Sequence, residues 1–212
     1  MPAPRKFTRE QLRTAALALV DRHGLAGLTM RSLAAEIGTG AMTIYNYVDG
    51  RDGLEQLVTE AVLAEASWEC PNTGDWRADL RSVATRMWRA IRAHPHAIPL
   101  ILTRRSVDIA TLLPAEALLR ALARSGRTGT ELLVAFRTVS GYVTGFAQAE
   151  LAGPLSLDRN DSPDAITARM AALPAEQFPG LIEIAHAART SDPESEFTAG
   201  MEILLAGLGA QR

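Results

Sequence analysis

Residues 28–54 read LTMRSLAAEIGTGAMTIYNYVDGRDGL, and within them Ala34, Gly38 and Ile44 stand at the spacing of a helix-turn-helix. Ala34 is small enough for two helices to cross closely. Gly38 can take the left-handed backbone that ends the first helix and opens the turn. Ile44 points back from the second helix into a shared core, which leaves its polar neighbours free to face a DNA groove. Each position has its own steric reason, and together they are more specific than any one alone.

Working outward, Thr8 followed by Gln11 makes a capping box, and Phe7 with Leu12 can form a hydrophobic staple across it. Leu12, Ala15, Ala16, Leu19 and Val20 then share one helical face, and Gly24 supplies the stop. Thr29 caps a second helix expected to run to Ile37. A third short helix is expected over 41–48, Asp49-Gly50 breaks the chain, and a longer fourth helix is expected over 51–69.

Pro71-Asn72-Thr73-Gly74 reads as a linker. Beyond it Trp76, Leu80, Val83, Ala84, Met87, Trp88 and Ile91 recur at helical spacing until His94-Pro95 ends the run. A short apolar segment covers 97–102. Pro114 suits the first turn of a helix reaching Arg124. The segment 128–151 has no proline, 153–164 reads as a surface loop, and helices are expected over 164–172, 179–190 and 194–208. No strand-period segment or internal repeat stands out. The fold class is all-α, with an N-terminal three-helix DNA-binding unit at 1–50 and a larger helical domain at 51–212.

Composition narrows the classes. The chain has 212 residues, 47% hydrophobic and 5% aromatic, a balance that suits helices with a sizeable core. No run of about 18 apolar residues points to a membrane span, and the N-terminus lacks an apolar signal region. The lone Cys70 rules out an internal disulfide and a cysteine zinc site, so the chain reads as cytoplasmic. Its net charge of −2 hides an asymmetry: through Arg51 seven basic residues meet four acids, a surplus of +3, which leaves −5 on the remainder. A positive N-terminal unit on an acidic body is compatible with DNA binding through one end.

From Gly27 to Leu54 the chain resembles the TetR family of bacterial transcriptional repressors. Leu28-Thr29, Leu33-Ala34, Gly38, Ile44-Tyr45, Val48, Arg51 and Leu54 match the family pattern by position. The body resembles the tetracycline-repressor-like regulatory domain at Asp75-Trp76-Arg77, His94-Pro95 and Gly141-Tyr142-Val143-Thr144-Gly145-Phe146. The resemblance implies a homodimer that binds a palindromic operator in double-stranded DNA and is released by a small-molecule inducer. No cofactor is implied.

The same resemblance puts the third helix in the major groove, with Ala41, Met42 and Thr43 meeting base edges. Met42 or the Thr43 methyl can contact a thymine methyl, and Asn46 is best suited to read an adenine. Tyr45, Asn46 and Tyr47 would straddle bases and backbone, and Arg31 is either a guanine reader or a phosphate contact. Thr29 and Arg51 would hold phosphates, and Arg5 with Lys6 a basic arm. Tyr45 has an alternative, packing against the first helix; Tyr47 is expected to be the less buried of the two, since Ile44 and Val48 already fill the buried stripe. Four positions depart from the family: Tyr47 replaces a usual His, Arg51 a usual Lys, Gly50 a usual capping residue, and Met42 a usual small residue or proline.

For dimerisation the resemblance points to the helices at 128–151 and 194–208. Gly141, Gly145 and Ala149 form a small-residue stripe, and Phe197, Met201, Leu204, Leu205 and Leu208 would fill the partner's face, unless they are core of the same chain. An inducer pocket would be lined by Met87, Trp88, Ile91, Ile101, Leu118, Phe136, Val139 and Val143, with His94 and Arg104 as polar handles; plain core is the competing reading. His94 and His96 flank a proline with no carboxylate within two residues, so no metal site and no tetracycline–magnesium site is expected. No nucleophile–His–acid arrangement or nucleotide-binding glycine loop is visible, so an enzyme is not expected. A helical adaptor using the same motif for protein binding is the other rival, and it would lack the salt dependence of a DNA binder.

Overall fold

Local capping signals set the first two helices where the sequence places them. In the computed structural model, which describes residues 7–103, 109–152 and 163–210, helix α1 (Arg9–His23) begins at Thr8. The Thr8 hydroxyl accepts the Gln11 N–H at 3.2 Å, and the Gln11 side chain accepts the Thr8 N–H at 2.8 Å. Gly24 closes it by donating to the Val20 carbonyl at 2.8 Å. A 3-10 turn, Leu25–Gly27, leads to α2 (Met30–Glu36), where Thr29 and Ser32 form a second capping box.

The turn after α2 satisfies two orphan carbonyls at once. Thr39 N–H bonds the Ala34 carbonyl at 2.8 Å and Gly38 N–H bonds Ala35 at 3.2 Å, the paired bonds of a Schellman end. Gly38 has φ +70°, the left-handed backbone expected of it. Helix α3 (Ala41–Ile44) is shorter than expected: Asn46 and Tyr47 bond three residues back, to Thr43 and Ile44, so the helix tightens into a turn before Val48.

Helix α4 (Gly50–Ala64) also stops short of the expected Glu69. The reason is tertiary. The Trp68 indole N–H folds back onto the Leu63 carbonyl, and the Arg86 guanidinium donates to the carbonyls of Ser67 at 2.5 Å and Glu69 at 2.8 Å. Those carbonyls find partners on the next helix, so continuing α4 would gain little.

Eight further elements complete the described chain. They are α5 (Trp76–Ala93), a 3-10 turn at Pro95–Ala97, α6 (Ile98–Thr103), α7 (Ile109–Ala123), α8 (Gly129–Ala152), α9 (Pro163–Ala171), α10 (Pro179–Ala188) and α11 (Pro193–Ala210). No strand occurs among the described residues, and the protein is all-helical. Pro114 lies inside α7 rather than in its first turn, because α7 starts earlier than the proline suggests. Helix α5 buries Trp76, Leu80, Val83, Ala84, Trp88 and Ile91, as its periodicity requires. It also buries Asp79, whose carboxylate accepts from the Thr73 hydroxyl at 2.8 Å and from Arg124. Most of the expected 153–164 loop lies outside the described residues.

The chain divides into two compact units, Met1–Phe136 and Arg137–Arg212. In the first, Leu12, Ala16, Val20, Leu33, Ala34, Ile44 and Val48 share one core with Leu54, Leu57, Val58 and Val62 of α4. In the second, Tyr142 stacks on Phe197 with ring centres 5.3 Å apart and donates its hydroxyl to the Phe197 carbonyl at 2.8 Å. Burial, followed by the nearby Glu196 charge, pushes the Tyr142 hydroxyl up to about 12. Phe146 joins the same cluster, and a smaller one forms around Met170 and Ala185. Among the described residues no helix is long and apolar enough to cross a membrane.

Candidate nucleic-acid interface

The α2–α3 pair separates its residues cleanly by burial. Leu33, Ala34 and Ile44 are 0%, 2% and 0% exposed. Between and beside them Thr29, Arg31, Met42, Tyr45 and Asn46 are exposed, while Ala41 and Thr43 are half-buried. Met42 is 78% exposed and Tyr45 55%, high values for large apolar side chains on a packed unit. Tyr45 is thus surface rather than core.

Tyr47 takes the opposite role to the expected one. It is half-buried, its hydroxyl accepts the Phe7 N–H at 3.1 Å, and its ring meets Phe7 edge-on at 6.2 Å. The third helix is therefore tied to the start of α1 through Tyr47, and Phe7 packs there as well. The reason lies in the tightening after Ile44, which turns Tyr47 back toward the core side.

Polar ties hold this unit in shape. Arg22 of α1 pairs with Glu36 of α2 at 2.6 Å, and that hydrogen bond is the main reason the Glu36 carboxyl sits below its ordinary range. The Arg51 side chain, expected at a phosphate, donates to the carbonyls of Leu28 and, at 2.9 Å, Leu25, while its Nε meets Glu55 at 2.6 Å. It thereby holds the backbone that leads into Thr29. Thr29 itself is engaged in its cap, accepting the Ser32 N–H at 3.0 Å. The cap of α4 is Asp49 rather than the expected Gly50, and its side chain makes no capping bond.

Three carboxylate ties joining α1, α4 and the end of α5 had no local signal. Glu60, 1% exposed, takes two bonds from the Arg9 guanidinium at 2.6 and 2.8 Å. His94, expected in a ligand pocket, is instead bonded to Asp21 and Glu65. Partners 51 and 73 residues away in sequence leave no periodicity to read.

The other expected ligand residues divide as follows. Trp88, Ile91 and Leu118 are buried in the first unit, Met87 and Phe136 are half-buried, and Ile101 packs against the N-terminal core. Arg92 lies over the Trp88 ring at 5.3 Å. Val139 and Val143 are buried in the second unit. Arg104, Arg5 and Lys6 lie outside the described residues. No group of three or more His, Cys, Asp or Glu is arranged to hold a metal among the described residues.

The expected interface residues split between surface and interior. Gly141, Gly145 and Ala149 are exposed on α8. Phe197, Met201, Leu205 and Leu208 are 0%, 0%, 2% and 8% exposed, and Leu204 is half-buried. Those four are core of their own chain, a correction to the partner-filling role; the apolar side chain that α11 does present is Ile203, 75% exposed.

Comparison with known proteins matches this architecture at both ends. A family described as bacterial regulatory proteins of the tetR family matches residues 12–57. One described as the tetracyclin repressor-like C-terminal domain matches 70–212. The transcriptional repressor DrrR1 of Streptomyces coeruleorubidus is 32% identical over 146 residues, 68% of this chain and 54% of its own length. The class D tetracycline repressor protein of Escherichia coli is 28% identical over 97% of this chain and 91% of its own. Among solved structures, the Streptomyces coelicolor TetR family protein ActR in complex with actinorhodin superposes with a TM-score of 0.79. It is 27% identical, with 98% of this chain and 97% of that one covered. The chain belongs to the TetR family of bacterial regulatory proteins: it is a helix-turn-helix transcriptional repressor of that type, and not an enzyme.

Proposed function

We propose that two copies of the chain pair through α8 and α11 and set their α2–α3 units on the two half-sites of a palindromic operator. Residues 1–50 serve as the DNA-binding head and 51–212 as the regulatory body, working in the cytoplasm. The observation that carries this reading is the joint exposure of Arg31, Met42, Tyr45 and Asn46 around a fully buried Ile44. Apolar and hydrogen-bonding groups then face outward together, as major-groove readout requires. Thr43 and Ala41 flank that surface, Thr29 meets a phosphate at its edge, and Arg51 and Tyr47 act by holding the backbone and helix that present it.

Pairing through α8 is supported by Val134, Thr138, Gly141, Gly145 and Ala149, which recur at helical spacing and are all exposed. A Cβ at Gly141 or Gly145 would meet nothing within 4 Å, so this chain's own packing does not demand glycine there. A closely crossing second helix would. Ile203 is the matching apolar group on α11.

Release by a small molecule is supported by the likeness to ActR, which is solved with actinorhodin bound. Ligand binding in the body would change the separation of the two heads, so both half-sites could no longer be engaged together. The DNA reading is tested by gel shift with operator duplex. Arg31→Ala and Met42→Ala should each weaken binding about tenfold, within the ~1–3 kcal/mol of a good base contact, with thermal stability unchanged. Unaltered binding in both variants would place the contact surface elsewhere. A panel of apolar aromatic compounds tests release, and a compound that binds tightly yet leaves operator affinity unchanged speaks against the inducer role.

A further inference from the structure

His94 ends α5 and is 8% exposed, with both ring nitrogens on carboxylates from two other helices. Nδ1 lies 2.9 Å from Asp21 of α1, and Nε2 lies 2.8 Å from Glu65 at the end of α4. A neutral imidazole carries one N–H and one lone pair. It could satisfy one of these carboxylates, but its other nitrogen would aim a lone pair at the second. Only the imidazolium, a donor at both ends, fits the arrangement.

The surroundings agree with that protonation state. Burial works against the charge, but the hydrogen bonds and charges of Glu65 and Asp21 outweigh it and lift the ring above its ordinary 6.5. The other titratable group on this turn, His96, is occupied elsewhere, its Nδ1 3.0 Å from the Val20 carbonyl of α1. The groups facing His94 are thus Asp21 from α1, Glu65 from α4 and, along its own turn, His96. The other α1–α4 tie, Arg9–Glu60 at the start of α1, rests on a guanidinium that keeps its charge throughout this range.

We propose that His94 is a positioning residue: as an imidazolium it clasps α1 of the DNA-binding head to the ends of α4 and α5, and operator affinity falls when the ring loses its proton. Deprotonation converts one of the two bonds into a repulsive contact, so the C-terminal end of α1 loses a fixed attachment. Both heads of a dimer must be held at the half-site spacing, and a looser head lowers the effective concentration for the second half-site. The inference rests on the operator reading given above. The sign follows from linkage. A ring raised above 6.5 contributes its stabilisation fully below that value, and the contribution is lost as the pH climbs through the raised one.

The test uses the full chain, operator duplex and a pH series from about 6 to 9 at constant salt. Wild-type affinity should fall about three- to tenfold, the scale of one partly exposed charge-assisted hydrogen bond. His94→Gln should start lower and stay flat. Glu65→Gln provides a second variant that leaves the ring in place. Its amide N–H can donate to a neutral imidazole, so both ends stay satisfied and the loss at high pH should disappear. Nitrogen-15 spectra of the imidazoles add a readout independent of DNA, with both His94 nitrogens protonated at the acid end of the series and one losing its proton as the pH rises. A flat wild-type profile, or a His94→Gln profile as steep as wild type, overturns the proposal. A chain that binds no duplex at any pH fails the operator reading. In that case a His94 ring already neutral at pH 6.5 would overturn the clasp as well.

Discussion

Gly38 holds a backbone conformation that L-residues with a Cβ adopt at a cost, φ +70°, in otherwise open space: nothing stands within 4 Å of where its Cβ would be. A side chain fits the volume, so the backbone alone objects. Gly38→Ala should therefore destabilise the chain by about 1 kcal/mol, with Gly38→Asn milder, because Asn tolerates the left-handed region. Denaturant unfolding decides it, and an alanine variant as stable as the parent would contradict the argument. This position was legible in the sequence because its reason is local. Tyr47 was not: its environment is set by Phe7, 40 residues away. Arg51 was not legible as the donor that holds the Leu25 and Leu28 carbonyls, which lie 26 and 23 residues before it.

At the scale of elements, capping chemistry fixes starts better than stops. Thr8 and Thr29 begin α1 and α2 as the sequence indicates. Helix α4 ends early because Arg86 and Trp68 supply alternative bonds from outside it or just beyond it, information a local pattern lacks. The crossing of α8 and α11 shows the same limit. Both were readable as apolar helices, yet the sequence left open whether Phe197 and Met201 face a partner or their own core. Tyr142 answers that, since its ring and hydroxyl both engage Phe197. The crossing depends on Gly200, where a Cβ would stand 2.1 Å from the Tyr142 hydroxyl oxygen and 2.7 Å from the ring carbon bearing it. The ring is held by stacking and cannot simply move aside. Gly200→Ala should cost about 1–3 kcal/mol, the usual scale of overpacking. Thermal unfolding measures this, and a neutral effect would mean the α8–α11 contact is far softer than its geometry implies.

For the whole molecule, DNA recognition has to come from a local patch, because the net charge is only −2. In the proposed reading the exposed α2–α3 residues supply that patch, with Arg31 as its cation, while the body contributes pairing and control. The helix-turn-helix and the all-helical body were legible in the sequence: spacing carried the first, and apolar periodicity the second. The links between the two were hidden, since Arg9–Glu60 and Asp21–His94–Glu65 join residues with no common period. Everything proposed for this chain depends on paired, groove-reading contact with duplex DNA. Its most direct test is selection of bound sequences from a random duplex pool, followed by titration of the enriched site over a salt series. The expected result is an inverted repeat whose half-sites lie about 10 base pairs or a multiple apart, with affinity that drops steeply with salt. A pool with no enriched sequence, or binding indifferent to salt, would contradict it.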